Sequence, residues 1–391
     1  MPMETMVPNF EFRTVPSILV EWSGARRLGE ILAARFAARR VMVVTDMGVR
    51  RAGLADPVLT SLTEAGFTVT VFDGVVADPP EAIVHDCAEQ ARAAKAEIVV
   101  GLGGGSSLDI AKLCAVLVAS AQPLAEMYGI GKVTGSRLPL ALIPTTAGTG
   151  SEVTNISIIT TGETTKMGVV SPQLYADLAL LDAELTVGLP VVHTAATGID
   201  AMVHAIEAYT SKFKKNPLSD ALAREALRLL GSNVVAACRD GKDRAAREAM
   251  LLGATLAGQA FANAPVAAVH ALAYPLGGHY HVPHGLSNAL MLGPVLRFNM
   301  AAAAPLYAEL SDVLLGARAG RDTAARSQDF VEEMERLMND SGAPRRLRDV
   351  GVTDNSLALL ASDAMKQSRL LINNPVEVTE ADALALYREA F

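Results

Sequence analysis

Short, uninterrupted apolar runs punctuate the first half of the chain. VMVVT at Val41–Thr45, the run Thr68–Phe72, EIVVGL at Glu97–Leu102 and LPLALI at Leu138–Ile143 each read as a strand. Alanine-rich segments with helical spacing, such as Glu81–Ala94 and Asp109–Ala119, lie between them. Strands that are apolar on both faces and separated by helices predict a parallel sheet covered on both sides. Beyond Leu189-Pro190 the strand signals end. Ala/Leu-rich helical patterns continue through Ala221–Leu230, Arg244–Ala262 and Phe330–Met338. The pattern predicts an α/β domain over residues 1–187 and an all-α domain over residues 188–391.

Composition narrows the class. A chain of 391 residues with 50% hydrophobic and 19% charged residues builds large cores and is not globally disordered. The net charge of −8 and the brevity of the basic runs, Lys212–Lys215 and Arg345–Arg348, argue against a nucleic-acid partner. Cys87, Cys114 and Cys238 are dispersed and form no CxxC pair, the pattern of reduced thiols in a cytoplasmic protein. The N-terminal stretch MPMETMVPNFEF shows no apolar core of a secretory leader. The uncharged stretch Leu251–Gly278 is long enough to span a bilayer. It contains Gln259, Asn263, Pro265 and His270, so a buried helix pair is expected and a membrane partner is not.

Two loops suggest a nucleotide. After EIVVG the chain runs Leu102-Gly103-Gly104-Gly105-Ser106-Ser107 and enters a helix carrying Asp109 in its first turn. Glycines let a ligand approach the backbone, and a helix start offers unpaired N–H groups for a pyrophosphate. Ser106 stands where the GxGxxG fingerprint requires its third glycine, and no GK[ST] follows, so neither familiar nucleotide motif is present. A second polar loop, Pro144 to Glu152, follows the next strand and brings Thr145, Thr146 and Thr149. Asp46 directly follows VMVVT, where a carboxylate either caps a helix or accepts from ribose hydroxyls and repels a 2′-phosphate.

Asp200 and His204 stand at i, i+4 in TGIDAMVHAIEAY and share one helix face. His270, His279, His281 and His284 crowd into fifteen residues. The expectation is that His270 ends a helical run broken at Pro275 and Gly277-Gly278, and that His284 opens the next helix. Asp200, His204, His270 and His284 offer one carboxylate and three imidazoles, a set suited to Fe(II), Zn(II), Co(II) or Mn(II). Any one of these histidines alone would read as a hydrogen-bonded core residue. The quartet gains weight from the two nucleotide loops beside it. His279 and His281 are left as loop histidines or supports of the site.

Taken together, GGGSSLD, PTTAGTGSEVT, KMGVVSPQLYADLALLDAELTVGLP, GIDAMVHAIEAY and HALAYPLGGHYHVPHGLSNAL resemble the iron-containing (group III) alcohol dehydrogenase family over nearly the whole chain. The resemblance implies an N-terminal nucleotide-binding α/β domain, a C-terminal helical domain and catalysis in the cleft between them. It places the metal, Fe(II) by family habit, on Asp200, His204, His270 and His284. It sets the NAD pyrophosphate on Gly103, Gly104, Gly105 and Ser106, with Asp109 next to it. Thr145, Thr146 and Thr149 match the loop contacting the nucleotide, Lys166 matches a lysine near the nicotinamide ribose, and Asp46 goes with NAD. Phe261 matches an aromatic position of the substrate cleft.

The sequence departs from the family pattern at Tyr274, where many members carry a histidine credited with proton relay. A phenol donates a hydrogen bond but has a much higher reference pKa. Pro265 and Ala267 replace common glycines. The implied reaction is metal-assisted hydride transfer between a small alcohol, or its aldehyde or ketone, and NAD. The alternatives are a same-fold lyase of the dehydroquinate synthase type and a maleylacetate reductase-like enzyme. The absence of Lys and Arg between Glu248 and Arg297 points to a substrate that is not strongly charged. A homo-oligomer is compatible with the sequence.

Overall fold

The computed structural model describes residues 9–162, 165–317 and 320–391; the first eight residues, on which the leader question turns, lie outside them. The N-terminal half contains β1 (Ile18–Val20), α1 (Leu28–Arg35), β2 (Arg40–Asp46), α2 (Met47–Arg51), α3 (Asp56–Glu64), β3 (Thr68–Val75) and α4 (Glu81–Ala93). It continues with β4 (Ile98–Gly103), α5 (Gly105–Ala119), β5 (Gly129–Ile130), β6 (Leu140–Pro144), β7 (Ile156–Thr161), β8 (Thr165–Val170) and β9 (Leu178–Leu181). Six of these strands form one sheet in the order β1-β9-β6-β4-β2-β3, and every pairing in it is parallel. Strand β2 shows why its sequence is continuously apolar. Met42 and Val44 enter the core beneath α4 and α5, while Val41 and Val43 enter the opposite core beneath α1 and α3.

A second, small sheet pairs β7 and β8 antiparallel, with β5 added parallel to β8. The hairpin carries Lys166 and Gly168.

The C-terminal half is helical: α6 (Val191–Thr210), α7 (Pro217–Arg239), α8 (Arg244–Asn263), α9 (Ala268–Tyr280), α10 (His284–Leu315), α11 (Thr323–Ser341), α12 (Leu357–Met365), α13 (Ser368–Leu371) and α14 (Glu380–Ala390). The fold is thus α/β followed by all-α, as expected. The apolar stretch from Leu251 to Gly278 forms α8 and α9, joined by a break at residues 264–267 and largely buried. By length and composition α10 could cross a membrane, yet 56% of its most apolar window is buried within the fold.

The helix break falls elsewhere than expected. Helix α9 runs through Pro275 and Gly277-Gly278, so His270 lies in its first turn and does not end it. Proline forfeits one backbone hydrogen bond, a loss that helix α9, with Pro275 itself buried, accommodates. Gly277 serves a close approach, because a Cβ there would lie 3.3 Å from Lys166 Nζ. The chain turns instead at His281 (φ 54°) and Pro283, which releases His284 to begin α10.

The two halves touch backbone to backbone. A Cβ added to Gly150 (φ 60°) would sit 2.5 Å from Gly258 Cα in α8, a contact only glycine permits.

Candidate metal centre and cofactor cleft

The carboxyl ends of β2, β4 and β6 lie side by side, with Val44 opposite Gly101 and Gly103 opposite Pro144. Thr145 N–H donates to the Gly103 carbonyl at 3.0 Å, so the glycine turn and the threonine loop leave the sheet together. Gly103 has φ 151°, and a Cβ there would lie 2.7 Å from the Ser107 side chain. At Gly105 the added carbon would lie 2.8 Å from Thr149 Cγ2, and at Gly104 3.6 Å from Thr146. The glycines therefore let Thr146 and Thr149 close over the start of α5. No side chain caps that helix, the arrangement in which backbone N–H groups remain for an anion.

Asp46 caps α2, accepting from Val49 N–H at 3.0 Å, and its second oxygen accepts from Ser107 Oγ at 3.1 Å. It stands beside Gly103, whose added Cβ would be 3.2 Å from Oδ2. Asp109 shows more than proximity to a pyrophosphate. Its buried carboxylate accepts from Ser151 Oγ at 2.6 Å and Ile158 N–H at 2.8 Å, tying α5 to the threonine loop and to β7. Lys112, fully buried one turn on, donates to Ser151, Thr154 and the Ile156 carbonyl. Burial pushes the Lys112 pKa down and that of Asp109 up. Glu152, also buried, accepts from Thr255 Oγ1 in α8 at 2.7 Å and carries the network into the helical half.

Across the cleft, ligand atoms of Asp200, His204, His270 and His284 all lie within 4.8 Å of one another. Asp200 and His204 project from one face of α6, while His270 and His284 stand in the first turns of α9 and α10. Burial, opposed by Asp200, lowers the His204 pKa to about 3 and that of His284 to about 4. Burial would raise Asp200, but the three imidazoles around it outweigh this and bring it below its ordinary value. At neutral pH His204 and His284 are therefore neutral rings beside an Asp200 carboxylate. Donor atoms this close together could all reach one divalent ion, for which one carboxylate and three imidazoles are suitable ligands.

Asn288 marks the point on which these donors converge. Its amide nitrogen is 2.6 Å from Asp200 Oδ1, 3.2 Å from His270 Nε2 and 3.3 Å from His284 Nε2. Among the described residues, Asn288 Oδ1 and His204 Nδ1 are buried with no hydrogen-bond partner. Three acceptors directed at one donor form the geometry that a cation would satisfy better than an amide, so the residues fit a divalent metal.

Glu207, one turn beyond His204, supports the site from behind. Its carboxylate accepts from Ala267 N–H at 2.9 Å, Val269 N–H at 2.7 Å and His270 Nδ1 at 2.7 Å. Sequence reasoning missed Glu207, although Asp200, His204 and Glu207 lie at 0, 4 and 7 on one helix face. It also missed Asn288, four residues after His284. His279 and His281 do not join the quartet. His279 pairs with Asp363 at 2.5 Å, and His281 occupies the left-handed turn that ends α9.

A cavity of about 160 Å³ joins the two sites, with Gly105, Ser106 and Thr149 on one wall and His204, His270 and His284 on the other. Phe261 lines it and stacks on His204, with ring centroids 4.3 Å apart and planes at 16°. Tyr274 lies 5.9 Å from the His284 ring, and burial raises its phenol pKa. Two basic residues reach the cavity from outside the Lys- and Arg-free stretch between Glu248 and Arg297, and of these only Arg369 was unexpected. Lys166 of β8, paired with Asp78 at 2.5 Å, and Arg369 of α13 both line it. Arg369 lies 72 residues beyond Arg297, and tertiary packing returns it to the cleft.

The chain matches the family description "Iron-containing alcohol dehydrogenase" over residues 16–183 and "Fe-containing alcohol dehydrogenase family, C-terminal" over residues 194–391. It is 43% identical to long-chain-alcohol dehydrogenase 1 of Geobacillus thermodenitrificans, over 91% of each chain. The solved alcohol dehydrogenase from Oenococcus oeni superposes with a TM-score of 0.94 at 30% identity, covering 98% of this chain and 100% of that one. A sulfoacetaldehyde reductase from Bifidobacterium kashiwanohense, solved in complex with NAD+, gives 0.86 at 28% identity over 98% and 99% of the two chains.

Proposed function

The chain belongs to the iron-containing alcohol dehydrogenase family, and on that footing we propose that it moves hydride between NAD and a small primary or secondary alcohol, or the matching aldehyde or ketone. It is an NAD-linked oxidoreductase with an iron-type metal requirement. The observation that carries the reading is one cavity lined by Gly105 and Ser106 of the uncapped turn and by His204, His270 and His284 of the quartet, with Asp200 buried behind the three rings. The quartet would hold the metal. Gly103, Gly104, Gly105 and Ser106 would hold the cofactor pyrophosphate, with Thr145, Thr146 and Thr149 closing over it. Asp46 would meet the adenosine ribose, Lys166 the nicotinamide ribose, and Asp109 would brace the turn between them.

When bound, a divalent metal supplies Lewis acidity to the substrate oxygen and NAD supplies the hydride acceptor. The protein orients and dries the site. Phe261 holds His204 in plane and covers it from water, and the two loops fix the nucleotide relative to the quartet. Tyr274 sets its ring beside His284 and its hydroxyl beside Arg369, and burial keeps that hydroxyl protonated, so it does not serve as a base. The reading includes a cytoplasmic enzyme, without nucleic-acid or membrane partner and open to homo-oligomerisation. The buried free thiols Cys87, Cys114 and Cys238 support the reducing compartment. Relatives that carry dehydrogenase and reductase names do not favour the lyase alternative.

The test is NADH formation with a panel of short alcohols before and after removal of metal by a chelator, with iron or zinc added back. Loss and recovery of turnover are expected, together with loss in His270→Ala. Full activity after thorough chelation would overturn the metal assignment.

A further inference from the structure

Most charges around the cleft are answered by neighbours. Lys166 is held by Asp78, Asp109 by Ser151, Ile158 and Lys112, and Asp200 by Asn288 among the imidazoles. Arg369 differs. It lines the same cavity, yet among the described residues no carboxylate forms an ion pair with its guanidinium. Its neighbours are the Tyr274 phenol and the β8 backbone at Gly168, where an added Cβ would lie 3.6 Å from Nη2. The side chain keeps access to solvent, which lets the free protein tolerate the charge.

The position of Arg369 relative to the reacting centre follows from Tyr274. That ring is 5.9 Å from the His284 ring, and its hydroxyl lies beside the guanidinium. One aromatic side chain therefore separates the metal quartet from an unanswered cation, a span suited to a short-chain reactant. Guanidinium presents a planar fork of N–H donors that matches a carboxylate or sulfonate, and such charge-assisted bonds discriminate strongly against neutral groups.

We propose that Arg369 is a specificity residue that selects alcohols and aldehydes bearing a carboxylate or sulfonate at the end remote from the reacting carbon. The proposal rests on the dehydrogenase reading and departs from the expectation of a substrate that is not strongly charged. An oxyanion at this position also has a second source, the cofactor phosphates, because Gly105 and Ser106 line the same cavity.

The test uses metal-loaded wild type, Arg369→Leu and Arg369→Lys with NADH and two four-carbon aldehydes, neutral butanal and anionic 4-oxobutanoate. Nucleotide Kd is measured in parallel by NADH fluorescence. Wild type is expected to favour 4-oxobutanoate in kcat/KM. The preference over butanal should fall by about 10- to 100-fold in Arg369→Leu and by less in Arg369→Lys, with the loss mainly in KM. The proposal is overturned if the preference is absent in wild type or unchanged in the variants. It is also overturned if the loss follows nucleotide Kd, which would assign the guanidinium to the cofactor. Turnover of butanal without discrimination sinks the anion proposal alone. Turnover of neither aldehyde, with NADH bound, sinks the dehydrogenase reading and the proposal with it.

Discussion

His270 Nδ1 lies 2.7 Å from Glu207 Oε2, and because a carboxylate only accepts, the imidazole carries its proton on Nδ1. Nε2 is thereby left as a lone pair, 3.9 Å from Asp200 Oδ1 on the inner side of the quartet. The same carboxylate anchors the start of α9 through Ala267 and Val269 N–H, so one residue sets both the tautomer and the position of the ring.

Glu207→Gln is therefore expected to weaken metal affinity by about 10- to 100-fold while leaving the fold intact. Glu207→Ala should cost more, because two buried N–H groups also lose their acceptor, at about 1–3 kcal/mol each. Competition titration against a metal-binding dye measures the affinity. A Kd for Glu207→Gln within about twofold of wild type would show that His270 needs no such support.

Asp46 serves two functions that variants can separate. Asp46→Asn keeps an acceptor for Val49 N–H but removes the charge, whereas Asp46→Ala loses both and about 1 kcal/mol of stability. Both should raise the NADP-to-NAD ratio of kcat/KM by about tenfold, since repulsion of a 2′-phosphate disappears. Only the alanine variant should melt earlier. An unchanged ratio in both variants would remove Asp46 from cofactor discrimination.

Gly105 tests the closeness of the two loops. Gly105→Ala places a methyl group 2.8 Å from Thr149 Cγ2, and NAD binding should weaken by about tenfold as the loop is pushed away. Adding Thr149→Ser, which deletes that methyl, should restore part of the affinity in calorimetric titration. No recovery in the double variant would place the effect on the helix start itself.

The His279–Asp363 pair joins α9 to α12 at 2.5 Å, and Asp363 also accepts from Lys366. Partial burial would raise the Asp363 pKa, but the bonds from Lys366 and His279 outweigh it and hold the pKa below the ordinary value. A depressed carboxylate stabilises the fold above its unfolded pKa, and the gain is lost as pH falls through the folded value. Asp363→Asn should therefore lower stability by on the order of 0.5–1 kcal/mol at neutral pH and approach wild type below about pH 4. Parallel melts across that range measure it; a constant gap at every pH would contradict the ionic origin.

Legibility in the sequence followed burial pattern. Strands β2, β4 and β6 were readable because both faces of the sheet are covered and their runs are nearly uninterrupted, whereas β3, a half-exposed edge strand, was readable from its β-branched run Thr68–Phe72. Strand β1 has only three residues, and β9 lies within DLALLDAEL, whose spacing suits a helix as well as a strand. The β7–β8 strands mix Ser, Thr and Lys with apolar residues because one face packs on the core through Ile159 and Val169 while Ile158 and Lys166 face the cavity. At the site, the quartet and both loops were visible as motifs. Pro275 and Gly277-Gly278 misled about where α9 ends, because local breaker signals do not register tertiary support. Arg369, Lys112 and Glu152 were invisible for the same reason: their meaning lies in partners far along the chain.

All four donors of the quartet belong to α6, α9 and α10, and none comes from the sheet that carries the glycine turn. The metal and the nucleotide therefore ride on separate halves. Any change in the spacing of the two halves would leave the four-donor set intact, and would alter only its distance from the glycine turn. Holding a metal would in this way be a task of the helical half alone, separate from the task of holding the nucleotide.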